Sequence, residues 1–169
     1  MLILERAITI SNAKDAKKWL LKKILHSKNS YGFHYLNPRR LVTFKFSNSK
    51  LIGFLILRNP KNTYYWEVDY VWVDKEFRGK TITEKLYQIA IDQHLILSSG
   101  KSQTKFARAF WCKLVRKQKF DIYAYDLKTN ESSQVFIEDD EIWCSLEHLY
   151  TNDFLTLQKH DVRLIALKK

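Results

Sequence analysis

The chain has 169 residues, 46% of them hydrophobic, which is the length of one ordinary domain with enough apolar side chains for a packed core. With 5 Trp, 9 Tyr and 10 Phe against 4 Gly and 2 Pro, the composition excludes a disordered or low-complexity protein, because such chains cannot bury enough surface to offset the entropy of ordering. Lys and Arg number 29 against 18 Asp and Glu, a formal charge of +11, so the surface attracts phosphate-bearing partners: nucleotide cofactors, nucleic acid or another acidic molecule.

Residues 1–10 (MLILERAITI) are aliphatic and β-branched and read as a first strand. A helix follows, capped at Asn12, with Ala13, Ala16, Leu20 and Ile24 on one face and Lys14, Lys17, Lys18 and Lys22 elsewhere. The stretch through Asn37-Pro38 reads as irregular. Leu41–Phe46 and Leu51–Leu57 then flank Ser47-Asn48-Ser49-Lys50, the composition of a hairpin turn between antiparallel strands. Asn59-Pro60-Lys61-Asn62 is a second turn. Tyr64–Val73 (YYWEVDYVWV) alternates strictly and is a strand.

A helix begins near Thr81, with Ile82, Leu86, Ile89 and Ala90 at helical spacing, and Leu95–Leu97 is a short buried strand completing a crossover unit. Thr104–Lys117 is a second helix of this half, placing Phe106, Ala107, Phe110, Trp111 and Leu114 on one face. From Lys101 to Lys119 stand seven basic residues and no acidic one, so the opposite face is a basic surface for phosphates, either of a coenzyme or of nucleic acid. Strands at Phe120–Leu127 and Ser133–Ile137 surround Lys128-Thr129-Asn130-Glu131, and a last strand lies near Val162–Leu167. The whole is expected to be one domain, with residues 138–169 as an extension packed on it. The acidic run Glu138-Asp139-Asp140-Glu141 is an exposed turn.

Cys112 and Cys144 sit in apolar settings and read as buried thiols of a reducing compartment. His26, His34, His94, His148 and His160 have no metal-ligand spacing. The longest apolar run, Leu51–Leu57, is too short to cross a bilayer, so a cytoplasmic protein is expected.

One segment carries chemistry. In Val71-Trp72-Val73-Asp74-Lys75-Glu76-Phe77-Arg78-Gly79-Lys80-Thr81-Ile82-Thr83-Glu84-Lys85-Leu86-Tyr87 a strand runs through a turn into a helix, and N–H groups at a helix N-terminus bind anions. This segment resembles the central motif of the GNAT (N-acetyltransferase) superfamily, (Arg/Gln)-x-x-Gly-x-(Gly/Ala), with Arg78 at the first position. The order of elements on both sides also fits that α/β fold, a mixed and mostly antiparallel sheet flanked by helices. Together with Phe110-Trp111-Cys112-Lys113-Leu114, the motif is similar to GNAT-like proteins of bacteriophages, which implies the cytoplasm of a host.

The resemblance implies an acetyl-CoA site made by Val71, Val73, Arg78, Gly79, Lys80, Thr81 and Thr83, and acetyl transfer to an amine. The family's two small positions are Thr81 and Thr83 here, where a β-branched residue crowds the backbone. Thr81 with Glu84 also has the spacing of a capping box, which would occupy the free N–H groups. Glu67 resembles the family's basic glutamate, and Asp69 is expected on the same strand face, where two carboxylates raise one another's pKa. The tyrosine that serves as acid in the family corresponds to Trp111, whose indole is no proton donor at neutral pH. These departures imply an alternative, a GNAT fold that binds a partner without catalysis.

Overall fold

The computed structural model describes residues 17–18, 31–61, 63–100, 105–127, 129–134 and 162–169. The expected strand 1–10, the acidic run 138–141 and Cys144 lie outside them. So does the expected first helix, apart from Lys17 and Lys18, which are helical. The chain forms two compact units, Met1–Gln93 and His94–Lys169.

The first unit contains β1 (Tyr31–Asn37), β2 (Arg40–Ser47), β3 (Lys50–Arg58), β4 (Trp66–Val73), a 3₁₀ turn (Lys75–Phe77) and α1 (Ile82–Asp92). The strands pair in sequence order, each antiparallel to the next. β1 corrects the irregular reading of this stretch: the strand runs through Asn37, and Pro38-Arg39 is the turn itself. The Arg39 N–H donates to Asn37 Oδ1 at 2.8 Å, while the aromatic alternation of Tyr31, Phe33 and Tyr35 carries the strand before it. Between β2 and β3, Asn48 and Ser49 both adopt positive φ, 48° and 62°, the turn whose twist matches a tight hairpin.

One sheet face buries Val42, Phe44, Phe46, Leu51, Phe54 and Ile56, with Leu36 and Trp72 packed against them. By register, Leu41, Thr43, Leu55 and Leu57 share the other face. There the buried Thr43 hydroxyl donates to the Leu86 carbonyl of α1 at 3.0 Å. Gly53 allows α1 to approach: a Cβ there would stand 2.9 Å from Ile82 Cγ2 and 3.3 Å from the Trp72 carbonyl. α1 buries Ile82, Glu84, Leu86, Tyr87, Ala90 and Ile91.

The strict alternation expected of β4 is broken. Ile56 pairs with Tyr70 but Leu57 pairs with Val68, so Asp69 is the extra residue of a β-bulge.

The second unit contains β5 (Leu97–Ser98), α2 (Lys105–Lys117), β6 (Asp121–Asp126), β7 (Ser132–Gln134) and β8 (Val162–Leu167). Its strand order is β5-β8-β6-β7, all antiparallel. Val162–Leu167 is thus an interior strand, held further by Ser99, whose N–H donates to the Leu164 carbonyl at 2.8 Å and whose hydroxyl accepts from the Leu164 N–H at 3.1 Å. The core includes Trp111, Leu114, Phe120, Ile122, Leu164 and Ile165. Phe106, expected on the buried face of α2, is 87% exposed. At 3.6 residues per turn it stands about 140° round the helix from Trp111. Cys112, expected to be buried, is half-buried.

The fold is the expected mixed α/β class with antiparallel strands. Among the described residues no helix is long and apolar enough to cross a membrane.

Candidate acyl-coenzyme A site

The site begins where β4 ends. The Asp74 N–H donates to the Ile52 carbonyl at 2.9 Å, and its carboxylate accepts from the Glu76 N–H at 3.1 Å and from Lys50 Nζ at 3.0 Å. These contacts anchor the 3₁₀ turn. The Lys50 ammonium, followed by the Glu76 N–H, holds the Asp74 carboxyl below the usual carboxylate range. Its folded pKa is depressed, so its stabilising contribution is present above the unfolded value and is lost as pH falls through the folded one. Melts recorded from about pH 5 down to about pH 2 are expected to show a shallower decline for Asp74→Asn than for the parent, and equal declines would remove Asp74 from the acid response.

After this anchor, Arg78 is extended, and its Nε donates to the Val73 carbonyl at 3.4 Å. Gly79 turns at φ +80°, a conformation that favours glycine, with open space around its Cα. Thr81 also enters the left-handed region, at φ 59° and ψ 9°. Its hydroxyl donates to the Lys80 carbonyl at 2.7 Å and makes no cap on the helix. The capping box expected from Thr81 and Glu84 is therefore absent, because a left-handed backbone turns the side chain away from the first helical turn. Glu84 is instead a buried residue of α1.

The consequence for the backbone is direct. The first helical hydrogen bond runs from the Lys85 N–H to the Thr81 carbonyl at 3.1 Å, leaving the N–H groups of Gly79, Thr81, Ile82 and Thr83 without an acceptor among the described residues. Four such donors at a helix N-terminus, beside the side chains of Arg78 and Lys80, form a cradle for an anion. The arrangement fits a pyrophosphate.

A β-branched residue at φ 59° is strained by about 1–2 kcal/mol. Thr81→Gly is therefore expected to stabilise the protein by about 0.5–1 kcal/mol net of glycine's entropy, raising the melting temperature by about 2–4 °C. A fall would mean that the threonine side chain contributes contacts exceeding the strain.

Val71 and Val73 are half-buried on β4, opposite Leu55 and Gly53. The carboxylates precede them. Glu67 Oε1 accepts from Arg58 Nη2 at 3.2 Å, with its side chain only 9% exposed, and Asp69 pairs with Arg40 at 3.6 Å with 35% exposed. Arg40 and Arg58 are cross-strand neighbours. Despite the bulge, both carboxylates thus reach one arginine pair, each matched to a guanidinium and not to the other carboxylate. Reading the sequence missed these arginines, since only strand register brings them to β4. Trp111 is 1% exposed in the core of the second unit, a packing residue and no source of protons.

The sequence profile of the acetyltransferase (GNAT) family matches residues 8–100, more than half of the chain. The chain belongs to the acetyltransferase (GNAT) family. No curated protein matches its sequence. Among solved structures, it is similar to an IAA acetyltransferase from Bacillus cereus ATCC 14579, at 20% identity over 56% of this chain and 65% of the other, with a TM-score of 0.39. It is also similar to a protein described as a streptothricin acetyltransferase from Bacillus anthracis str. Ames, in complex with acetyl coenzyme A. There the identity is 19% over 80% of this chain and 66% of the other, with a TM-score of 0.44. A GNAT-family protein from Bacteroides thetaiotaomicron shares 9% identity over 92% of this chain and 80% of that one, with a TM-score of 0.40. The chain spans 65% and 66% of the lengths of the first two.

Proposed function

We propose that this chain binds acetyl-CoA at the turn between β4 and α1 and transfers the acetyl group to an amine. The observation that carries the reading is the set of N–H groups at Gly79, Thr81, Ile82 and Thr83, which have no acceptor among the described residues. They would hold the pyrophosphate, with Arg78 and Lys80 supplying positive charge and the backbone of Val71 and Val73 running alongside. Bound acetyl-CoA supplies the acetyl group as a thioester, activated toward attack by an amine.

Forming the amide bond would break the C–S bond of the thioester, with coenzyme A leaving as a thiolate that takes a proton from water, and the attacking amine must itself lose a proton. Asp69 is the accessible carboxylate of the site and takes the proton; Glu67, enclosed against Arg58, holds the charged cluster in place. Arg40 orients Asp69 across the bulge.

Binding without turnover is a second reading, favoured by the engagement of both carboxylates with arginine and by the burial of Trp111 where the family places a tyrosine. A thermal melt with acetyl-CoA at about 100 times its dissociation constant is expected to raise the melting temperature by about 5–10 °C, corresponding to about 2.7 kcal/mol. Arg78→Ala is expected to reduce that shift. No shift in the parent protein would remove coenzyme binding, and with it the first reading. A shift without turnover on any amine would leave the second.

A further inference from the structure

Between Asp15 and Glu67 the sequence contains no acidic residue and eleven Lys and Arg. Residues 31–58, which build β1, β2 and β3, carry Arg39, Arg40, Lys45, Lys50 and Arg58, of which Arg40, Lys50 and Arg58 pair with Asp69, Asp74 and Glu67. On β1, Tyr31, Phe33 and Tyr35 share one face at the two-residue period of a strand. The Phe33 and Tyr35 rings meet edge to face at 5.1 Å, and Tyr35 meets Trp66 of β4 at 6.0 Å. Tyr35 is 51% exposed, so part of its ring is open to solvent.

At the other end of the row, Lys45 Nζ stands 4.2 Å and Lys85 Nζ 5.7 Å from the centroid of Tyr31. Neither ammonium pairs with a carboxylate among the described residues. The acidic residues of α1 are Glu84, which is buried, and Asp92, which accepts from the Gln88 side chain at 2.8 Å. Two ammonium groups therefore share one phenol ring, with no carboxylate partner among the described residues.

We propose that this row is a binding surface for single-stranded nucleic acid, with bases on Phe33, Tyr35 and Trp66 and phosphates on Lys45 and Lys85. Stacking rings beside a basic track is the chemistry that holds unpaired strands, because every base has a flat face and every nucleotide a phosphate. A duplex hides its base faces and meets only the lysines. The surface uses none of the residues of the cradle, so it stands whether or not the chain binds acetyl-CoA.

The test is fluorescence anisotropy of the full chain with fluorescein-labelled 12-nucleotide oligouridylate and oligothymidylate, repeated at several salt concentrations. Tyr35→Ala is expected to weaken binding about 5- to 150-fold, the range found when a stacking ring is removed. Lys45→Ala and Lys85→Ala are each expected to lower the slope of log affinity against log salt by about 0.7. Phe33→Leu, which keeps apolar volume but loses the ring, should weaken binding at an unchanged melting temperature. Tighter binding of one oligomer over the other identifies RNA or DNA as the partner. The proposal is overturned if Tyr35→Ala and Phe33→Leu both bind as the parent does, or if a duplex of equal length competes equally. It is overturned also if Arg116→Glu with Lys117→Glu on α2 abolishes binding that the row variants leave intact.

Discussion

Asp69→Asn is expected to slow acetyl transfer by about 10²- to 10⁴-fold while leaving the dissociation constant for acetyl-CoA unchanged, the range that a positioned proton acceptor contributes. The expectation rests on position. Asp69 is the bulge residue, skipped between Val68 and Tyr70 in the pairing with β3, and its carboxylate is the more open of the two. Asparagine keeps the size and the contact with Arg40 but accepts no proton. Glu67→Gln should have the smaller effect on rate, because that side chain is closed off by Arg58 and a neutral amide can still accept from the guanidinium. Steady-state rates with a panel of amines, beside calorimetric titration with acetyl-CoA, would separate the two. If Glu67→Gln is the slower enzyme, the buried carboxylate is the base and Asp69 only positions Arg40. If neither changes the rate, the proton leaves by water.

Phe54→Ala is expected to destabilise the protein by about 3–5 kcal/mol, lowering its melting temperature by about 6–20 °C. Phe54 is buried and lies against two further rings, Tyr70 at 5.9 Å and Trp72 at 5.6 Å, both nearly parallel to it. Truncation leaves a cavity at a site where rings from β4 lean on β3, and those two rings lose their stacking partner. The neighbours cannot collapse inward, since strand pairing fixes their Cα positions. Chemical denaturation of Phe54→Ala beside Phe54→Leu would check this, with the leucine variant expected to lose less than half as much. Equal losses would mean that ring stacking, and not volume, sets the stability here.

Much of the fold was legible because it follows from side-chain character over short spans. The runs 51–57 and 162–167 are almost unbroken aliphatic segments, and Asn48-Ser49 lies between two of the strands they resemble. β1 escaped notice because it carries Gly32 and His34 between its aromatics and Asn37 after them, which dilutes the apolar signal to that of a loop. The bulge at Asp69 was invisible, because the residue types keep alternating through it; only pairing with β3 shows the skipped register. Thr81 and Glu84 have the spacing of a cap, and only the left-handed φ of Thr81 shows that the cap does not form. The pattern alone thus misjudged how the helix begins. The arginine pair was not readable at all, since Arg40 and Arg58 approach Glu67 and Asp69 only after three strands have aligned.

Strand order also sets a timetable for folding. The first unit's sheet is built from successive hairpins, each strand bonded to the next in sequence, and such short loops close quickly. In the second unit Leu97 pairs with Ala166 and Ser98 with Ile165, so β5 and β6 cannot be joined until β8 arrives between them. The sheet around Trp111 must therefore wait on contacts far apart in the chain. During synthesis the turn between β4 and α1 and the aromatic row on β1 can form while the second unit is still open, and a ligand bound at either stabilises the first unit before the second has closed.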